Sequence, residues 1–198
     1  MSGPRDLAGL VASRICHDLI SPVGALGNGM ELVEAAGGAM SEELELIRSC
    51  SDAARHSLTY MRIAFGAAAP ADTIDPSEAA SAAVPYLAAK RLEVRWPQSG
   101  VGRSRLEVKA RLLTLFAASD AAPRGGVVAP VDPAALIWRV TGKALQPETA
   151  SAGLACREGA ASCAREVHYP VLRNAAQSLG KTPFVTALDD ERFEIGMK

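Results

Sequence analysis

The sequence has no excess of either charge: 21 Lys and Arg stand against 22 Asp and Glu, giving a formal net charge of -1 and a pI near 6.3. That removes the basic footprint of a non-specific nucleic-acid or polybasic membrane binder and leaves proteins or small molecules as the expected partners. No run approaches the roughly 18 unbroken apolar residues that a membrane-spanning helix needs. The first residues make a poor signal peptide, because the apolar patch at 7–12 is interrupted by Gly9 and followed at once by Arg14, His17 and Asp18. The expectation is a cytoplasmic protein whose cysteines (Cys16, Cys50, Cys156 and Cys163) are free thiols; none forms a C-x-x-C pair. Aromatic residues make up only 5% of the chain, but 48% is apolar. At this mass about 70% of the open chain's surface can be buried, enough for one domain or two small ones.

Two long helical patterns come first. Ser2, Gly3 and Pro4 start a helix over 5–36 that stops at Gly37 and Gly38. Ser41, followed by Glu42 and Glu43, puts a capping hydroxyl and two acids where the next helix dipole favours them, and that helix runs to Phe65 before Gly66. In the second helix Leu44, Ile47, Ala54, Leu58, Met61 and Phe65 recur at steps of three and four, apart from Ser51. That is the narrow seam of a bundle helix. In the first, Val11, Ile15, Leu19, Pro22, Leu26, Met30 and Val33 fall within about 60° of one line. A hairpin of two such helices covers only part of each stripe, and a second identical hairpin completes the cover, which predicts a four-helix bundle made by a homodimer.

The small, proline-containing stretch 66–73 reads as a linker, so the predicted division is a helical hairpin over 1–66 and a second domain over 75–198. The second domain alternates: helices over 76–90, 103–122, 147–158 and 167–179, a loop through Gly100 and Gly102, and strands over 92–96, 126–131, 136–141, 184–188 and 192–197. The last two strands meet at Asp189, Asp190 and Glu191. The fold class is α+β: the hairpin, then an α/β sandwich with helices packed on one sheet.

His17 sits almost opposite the centre of the first helix's apolar stripe, with Ser13, Arg14, Ile20 and Ser21 as surface neighbours and Gly24 and Asn28 further along that side. Asp18 follows immediately. A carboxylate beside a histidine can hold one ring N–H so that the other nitrogen stays unprotonated and nucleophilic. On a helix, though, adjacent residues point about 100° apart, so the contact needs a bent side chain, and a simple solvated charge is the alternative. Pro22 removes a backbone donor in mid-helix. Gly24, Gly27 and Gly29 lower helix propensity by about 1 kcal/mol each, either to let helices approach closely or to keep the outer face low for a partner.

The stretch RICHDLISPVGA at 14–25, continued by NGMEL at 28–32, closely resembles the phosphoacceptor helix of the ChpT-type histidine phosphotransferases of alphaproteobacteria. The resemblance covers the whole chain. It implies a dimerising hairpin followed by a degenerate domain similar to the ATP-binding domain of histidine kinases. It further implies that His17 receives a phosphoryl group from one receiver-domain aspartate and hands it to another. The implied donor is a hybrid kinase similar to CckA, and the implied acceptors are response regulators similar to CtrA and CpdR. Independently, a neutral imidazole can attack phosphorus without a strong base, and phosphoryl transfer needs mainly in-line positioning and charge neutralisation. No cofactor or metal of the chain's own is expected, since a visiting receiver can bring Mg²⁺ and lysine itself. The predicted site is His17 as phosphoacceptor and Asp18 as orienting or proton-accepting neighbour, with Ser13, Arg14, Ile20, Ser21, Gly24 and Asn28 as docking surface.

Rival readings are an autophosphorylating histidine kinase and a non-catalytic dimeric module. Against the kinase, Thr114 and Ala118 occupy the positions where the related fold places Mg²⁺-binding asparagine, and no D-x-G-x-G follows. Gly180, Lys181 and Thr182 end like a phosphate loop but precede a strand, so they read as a turn. A metal site from Cys16, His17, Cys50 and His56 is not expected: Cys16 lies toward the apolar half of its helix, His17 faces away and His56 lies off the seam, which leaves core thiols. Trp96 and Trp138 read as core or sheet-face aromatics.

Overall fold

Two helices form the expected hairpin, α1 (Leu7–Ala35) and α2 (Ser41–Phe65). The structure, a computed structural model, describes residues 7–35, 41–69, 71–97, 103–131, 136–155 and 164–198. The predicted start at Ser2, Gly3 and Pro4, the turn at Gly37 and Gly38, the loop glycines Gly100 and Gly102, and the thiols Cys156 and Cys163 lie outside the described residues. Gly29 lies against Ile47, while His17 and Ser21 share a groove with Ala53 and Ser57, so α1 and α2 run antiparallel. A Cβ at Gly29 would stand 2.8 Å from Ile47 Cγ1, so this glycine permits close helix approach. Gly24 and Gly27 have open space where a Cβ would go, so they keep the outer face of α1 low.

The rest of the chain contains β1 (Thr73–Ile74), α3 (Pro76–Ala88), β2 (Leu92–Val94), β3 (Arg103–Ser104), α4 (Arg105–Asp120), β4 (Gly126–Pro130) and β5 (Ile137–Thr141). It continues with α5 (Pro147–Ala155), a 3-10 turn (Ala164–Glu166), α6 (His168–Ser178), β6 (Pro183–Asp189) and β7 (Arg192–Met197). The five-stranded sheet has the order β2-β4-β5-β7-β6. β2 and β4 are parallel, joined across α4, and the other pairs are antiparallel. Leu92, Val94, Val128, Trp138, Val140, Phe193 and Ile195 are buried in the core, whereas Arg139 and Glu194 form an exposed ion pair across β5 and β7. One face is therefore dry and the other wet, as period-two alternation on a half-covered sheet requires. Trp96 packs beside buried Trp138, with ring centroids 5.7 Å apart. Gly180 ends α6 with φ +66°, and Thr182 then pairs with Lys198, so the Gly180-Lys181-Thr182 triplet is a helix stop leading into a strand.

Asp75 caps α3, accepting from Ser77 N at 2.7 Å, with Pro76 in the first turn, where its missing N–H costs nothing. α4 is buried almost all round, which marks a central helix rather than a surface one. It packs between α2, α3 and α6. Consequently the hydrophobic core crosses the expected division at residue 66: Tyr60, Met61, Ile63 and Ala64 of α2 belong to the same cluster as α4 and the sheet. The expected linker is also tied down, by Lys109 Nζ donating to Gly66 O at 2.8 Å and by β1 pairing with β3. Two-residue strands of this kind have no alternation to read, and the sequence pattern did not reveal them.

Tyr60 is fully buried, stacks on Tyr86 at 4.1 Å and donates its hydroxyl to Leu112 O at 2.6 Å. Tyr60→Phe keeps the ring and removes only that bond. We expect a loss of about 1–2 kcal/mol of unfolding free energy, read as a lower urea midpoint with unchanged slope. An unchanged midpoint would mean that the bond contributes nothing net.

Candidate functional site

His17 lies on α1 with its side chain 58% exposed, and Nδ1 is 3.2 Å from Asp18 Oδ1. The bent contact that adjacent helical residues need is thus made. It is made because Asp18 is held from elsewhere: its side chain is only 10% exposed and both oxygens are occupied. Oδ1 faces His17 Nδ1 and, at 3.3 Å, Arg14 Nε; Oδ2 accepts the Tyr86 hydroxyl at 2.7 Å and lies 3.7 Å from Lys90 Nζ. Burial alone would raise the Asp18 pKa. The Arg14 charge, the Tyr86 hydrogen bond, Lys90 and the His17 contact together outweigh it and hold the carboxyl below its ordinary range. An ionised carboxylate can only accept, so Nδ1 is the donor, and in the neutral ring the lone pair is on Nε2.

Of the cations beside Asp18, Arg14 is built into the core and Lys90 is partly buried. Arg14 is 6% exposed, donates from Nη1 to Arg165 O at 2.8 Å and lies over the Phe116 ring at 4.5 Å. This corrects its expected place on the docking surface. The helical wheel counts only the hairpin's own apolar stripe, but the 3-10 turn and α4 cover a second flank of α1, and Arg14 falls on it. Lys90 lies over the Tyr86 ring at 5.0 Å and the Phe116 ring at 5.5 Å. Burial pulls the Lys90 pKa down against the opposing pull of Asp18. Burial likewise pushes the Tyr86 phenol far above its usual range, with the Asp18 charge adding to it, so Tyr86 stays a donor.

His17, Asp18 and Ser21 of α1, Cys50 and Ser57 of α2, and Tyr86 and Lys90 from α3 and the turn after it line one cavity of about 470 Å³. Ser13, Ile20, Gly24 and Asn28 are exposed on the outer side of α1 but do not line it. Ile20 is 71% exposed, which places a large apolar side chain in solvent close to the imidazole in sequence. Cys16 is exposed rather than a core thiol, correcting its expected burial, and Cys50 is half-buried at the cavity wall. Among the described residues no three His, Cys, Asp or Glu side chains converge as metal ligands. Thr114 and Ala118 are both fully buried, and Thr114 Oγ1 is turned back onto Ala110 O at 2.9 Å.

Tyr86 and Lys90 were not singled out by sequence. Their spacing of four residues, at the end of an Ala-rich helix, is the signal that they share a face. Nothing local says that this face meets α1.

Comparison with known proteins adds three findings. The family described as the histidine phosphotransferase C-terminal domain matches residues 76–191. Protein phosphotransferase ChpT of Brucella abortus (strain 2308) is 43% identical over 125 residues, a match that takes in 63% of this chain and 59% of that protein's length. A solved structure of a bacterial phosphotransferase superimposes with a TM-score of 0.76 at 30% identity, covering 100% of both chains.

Proposed function

This chain belongs to the histidine phosphotransferase family, and from that premise we propose that it relays a phosphoryl group between receiver-domain aspartates through Nε2 of His17. The observation that carries the reading is the exposed imidazole whose Nδ1 is held by a buried, ionised Asp18. In the first half-reaction the Nε2 lone pair attacks phosphorus of a donor aspartyl phosphate. The N–P bond forms as the P–O bond breaks, and the electron pair leaves with the donor carboxylate. Nε2 has no proton to lose, so no strong base is needed. The proton on Nδ1 stays, and the Asp18 charge offsets the positive charge that develops on the ring. In the second half-reaction an acceptor carboxylate oxygen attacks the same phosphorus and the N–P bond breaks. Positioning and charge neutralisation supply the rate.

The donor is the receiver domain of a hybrid kinase similar to CckA, and the acceptors are response regulators similar to CtrA and CpdR. Each receiver brings its own Mg²⁺. Ser13, Ile20, Ser21, Gly24 and Asn28 form the face on which a receiver docks, and the setting is cytoplasmic. No helix among the described residues is long and apolar enough to cross a membrane. The test is incubation with a panel of phosphate-labelled receivers. Label is expected to move onto this chain as an acid-labile N–P species, with none taken from ATP alone. Label from ATP without a receiver would overturn the reading in favour of a kinase.

The active form is a homodimer. Leu44 and Leu58, on the predicted seam of α2, are 51% and 50% exposed in the single chain, which supports a second hairpin as their cover. Leu58→Glu leaves the chain's own core untouched but would bury an unpaired charge in that interface. The expected result is a folded monomer by light scattering. A dimer of unchanged affinity would remove this seam from the interface.

A further inference from the structure

We propose that Tyr86 and Lys90 are positioning residues for His17, acting through Asp18, so that α3 and the turn after it complete the site on the hairpin. The inference rests on the phosphotransfer reading of His17 and goes beyond it by assigning roles outside α1.

Asp18 has to be turned before it can serve His17. Its backbone directs the side chain about 100° around the helix from His17, so the side chain has to bend back to bring an oxygen to Nδ1. Arg14 does not select that orientation by itself, because it sits on the same helix and meets Oδ1, the oxygen that His17 also uses. Oδ2 is fixed by Tyr86, whose hydroxyl is 2.7 Å away. Tyr86 is a stiff anchor: its ring stacks on Tyr60 at 4.1 Å and meets Phe116 edge-on at 5.8 Å. With Oδ2 pinned to the core, Oδ1 is left pointing at the imidazole. Lys90, 3.7 Å from Oδ2, supplies a second cation for a carboxylate that is nearly out of water and would be costly to bury with one partner. The chain of contacts is therefore directional: core ring to phenol, phenol to carboxylate, carboxylate to Nδ1. Its output is which ring nitrogen carries the proton.

Tyr86→Phe in the full chain keeps the ring stack and deletes only the hydroxyl. The transfer rate at saturating labelled receiver should fall about tenfold, the loss usual when a partner orienting a functional histidine is removed. The receiver concentration for half-maximal rate should stay unchanged. In ¹⁵N spectra recorded without receiver, the His17 ring should move from a pure Nδ1–H form to a mixture of both tautomers. In an Asp18→Asn background the further change to Phe should have no effect on the rate. Lys90→Gln should lower the rate several-fold, with Lys90→Arg restoring most of it.

Wild-type rate and an unchanged spectrum in Tyr86→Phe would overturn the inference. So would a loss confined to the half-maximal concentration, which would make Tyr86 a docking residue, or a loss that adds fully to that of Asp18→Asn. If the wild type takes no label from any receiver, the phosphotransfer reading fails instead. The spectroscopic arm needs no receiver and still decides the positioning.

Discussion

His17→Ala is expected to abolish phosphoryl acceptance while leaving the fold intact. The imidazole is more than half exposed, and its Nδ1 meets Asp18. Asp18 keeps Arg14, Tyr86 and Lys90 when the ring is gone. Surface substitutions of this kind usually change stability by no more than about 0.5 kcal/mol. The chemistry has no such reserve, because the N–P bond has to be made by a nitrogen with a free lone pair. The other histidines are placed differently: His56 is half-buried on α2 and His168 is fully buried beneath Phe116 and Tyr169. Labelling from a phosphorylated receiver should fall to background with an unchanged melting midpoint, and His56→Ala should label normally. Equal labelling of wild type and His17→Ala would refute the assignment outright.

The largest structural effect is expected at Phe116. Its ring is fully buried, stacks on His168 at 4.9 Å, and meets Tyr60 at 5.6 Å and Tyr86 at 5.8 Å. It also lies beneath both Arg14 and Lys90. Truncating a buried Phe to Ala costs about 3–5 kcal/mol through lost transfer energy and the cavity left behind. Against a typical total of about 5–15 kcal/mol, that is a large fraction of the stability. For a chain of this size the melting midpoint should drop on the order of 10 °C. Phe116→Leu separates the contributions: it refills most of the volume but removes the π face on which Arg14 and Lys90 rest. It should recover most of the midpoint yet still slow phosphoryl transfer, because Arg14 and Lys90 lose the surface that holds them beside Asp18. A Leu variant indistinguishable from wild type in both readouts would show that the ring acts only as filler.

The hairpin was legible because its signals are local. Ser41 and the acids after it, with a seam at helical spacing, mark a helix ending near Phe65, and α2 spans Ser41–Phe65. The strands of the five-stranded sheet were legible for the same reason, each being a short run bounded by turn residues, although the 92–96 strand ends at Val94. What escaped was everything set by packing between distant segments. Arg14 reads as a solvated charge on any wheel of α1, and only the approach of Arg165 and Phe116, 151 and 102 positions away, makes it a core residue. Cys16 reads as apolar-side on the same wheel and is exposed, because burial of α1 is shared between its stripe and the flank carrying Arg14. The His17–Asp18 pair could be named from sequence. The tyrosine that sets its geometry could not, since α3 shows no pattern aimed at a histidine 69 residues earlier.

The stack of Tyr60 on Tyr86 has a consequence for anyone wishing to harden this protein against heat. Repacking that ring pair is an obvious route to a tougher interior, yet one member of the pair steers the reactive nitrogen by way of a single oxygen. Thermostable variants selected blindly at these two positions should therefore scatter in turnover, and screening for both properties at once will be needed to keep a working relay.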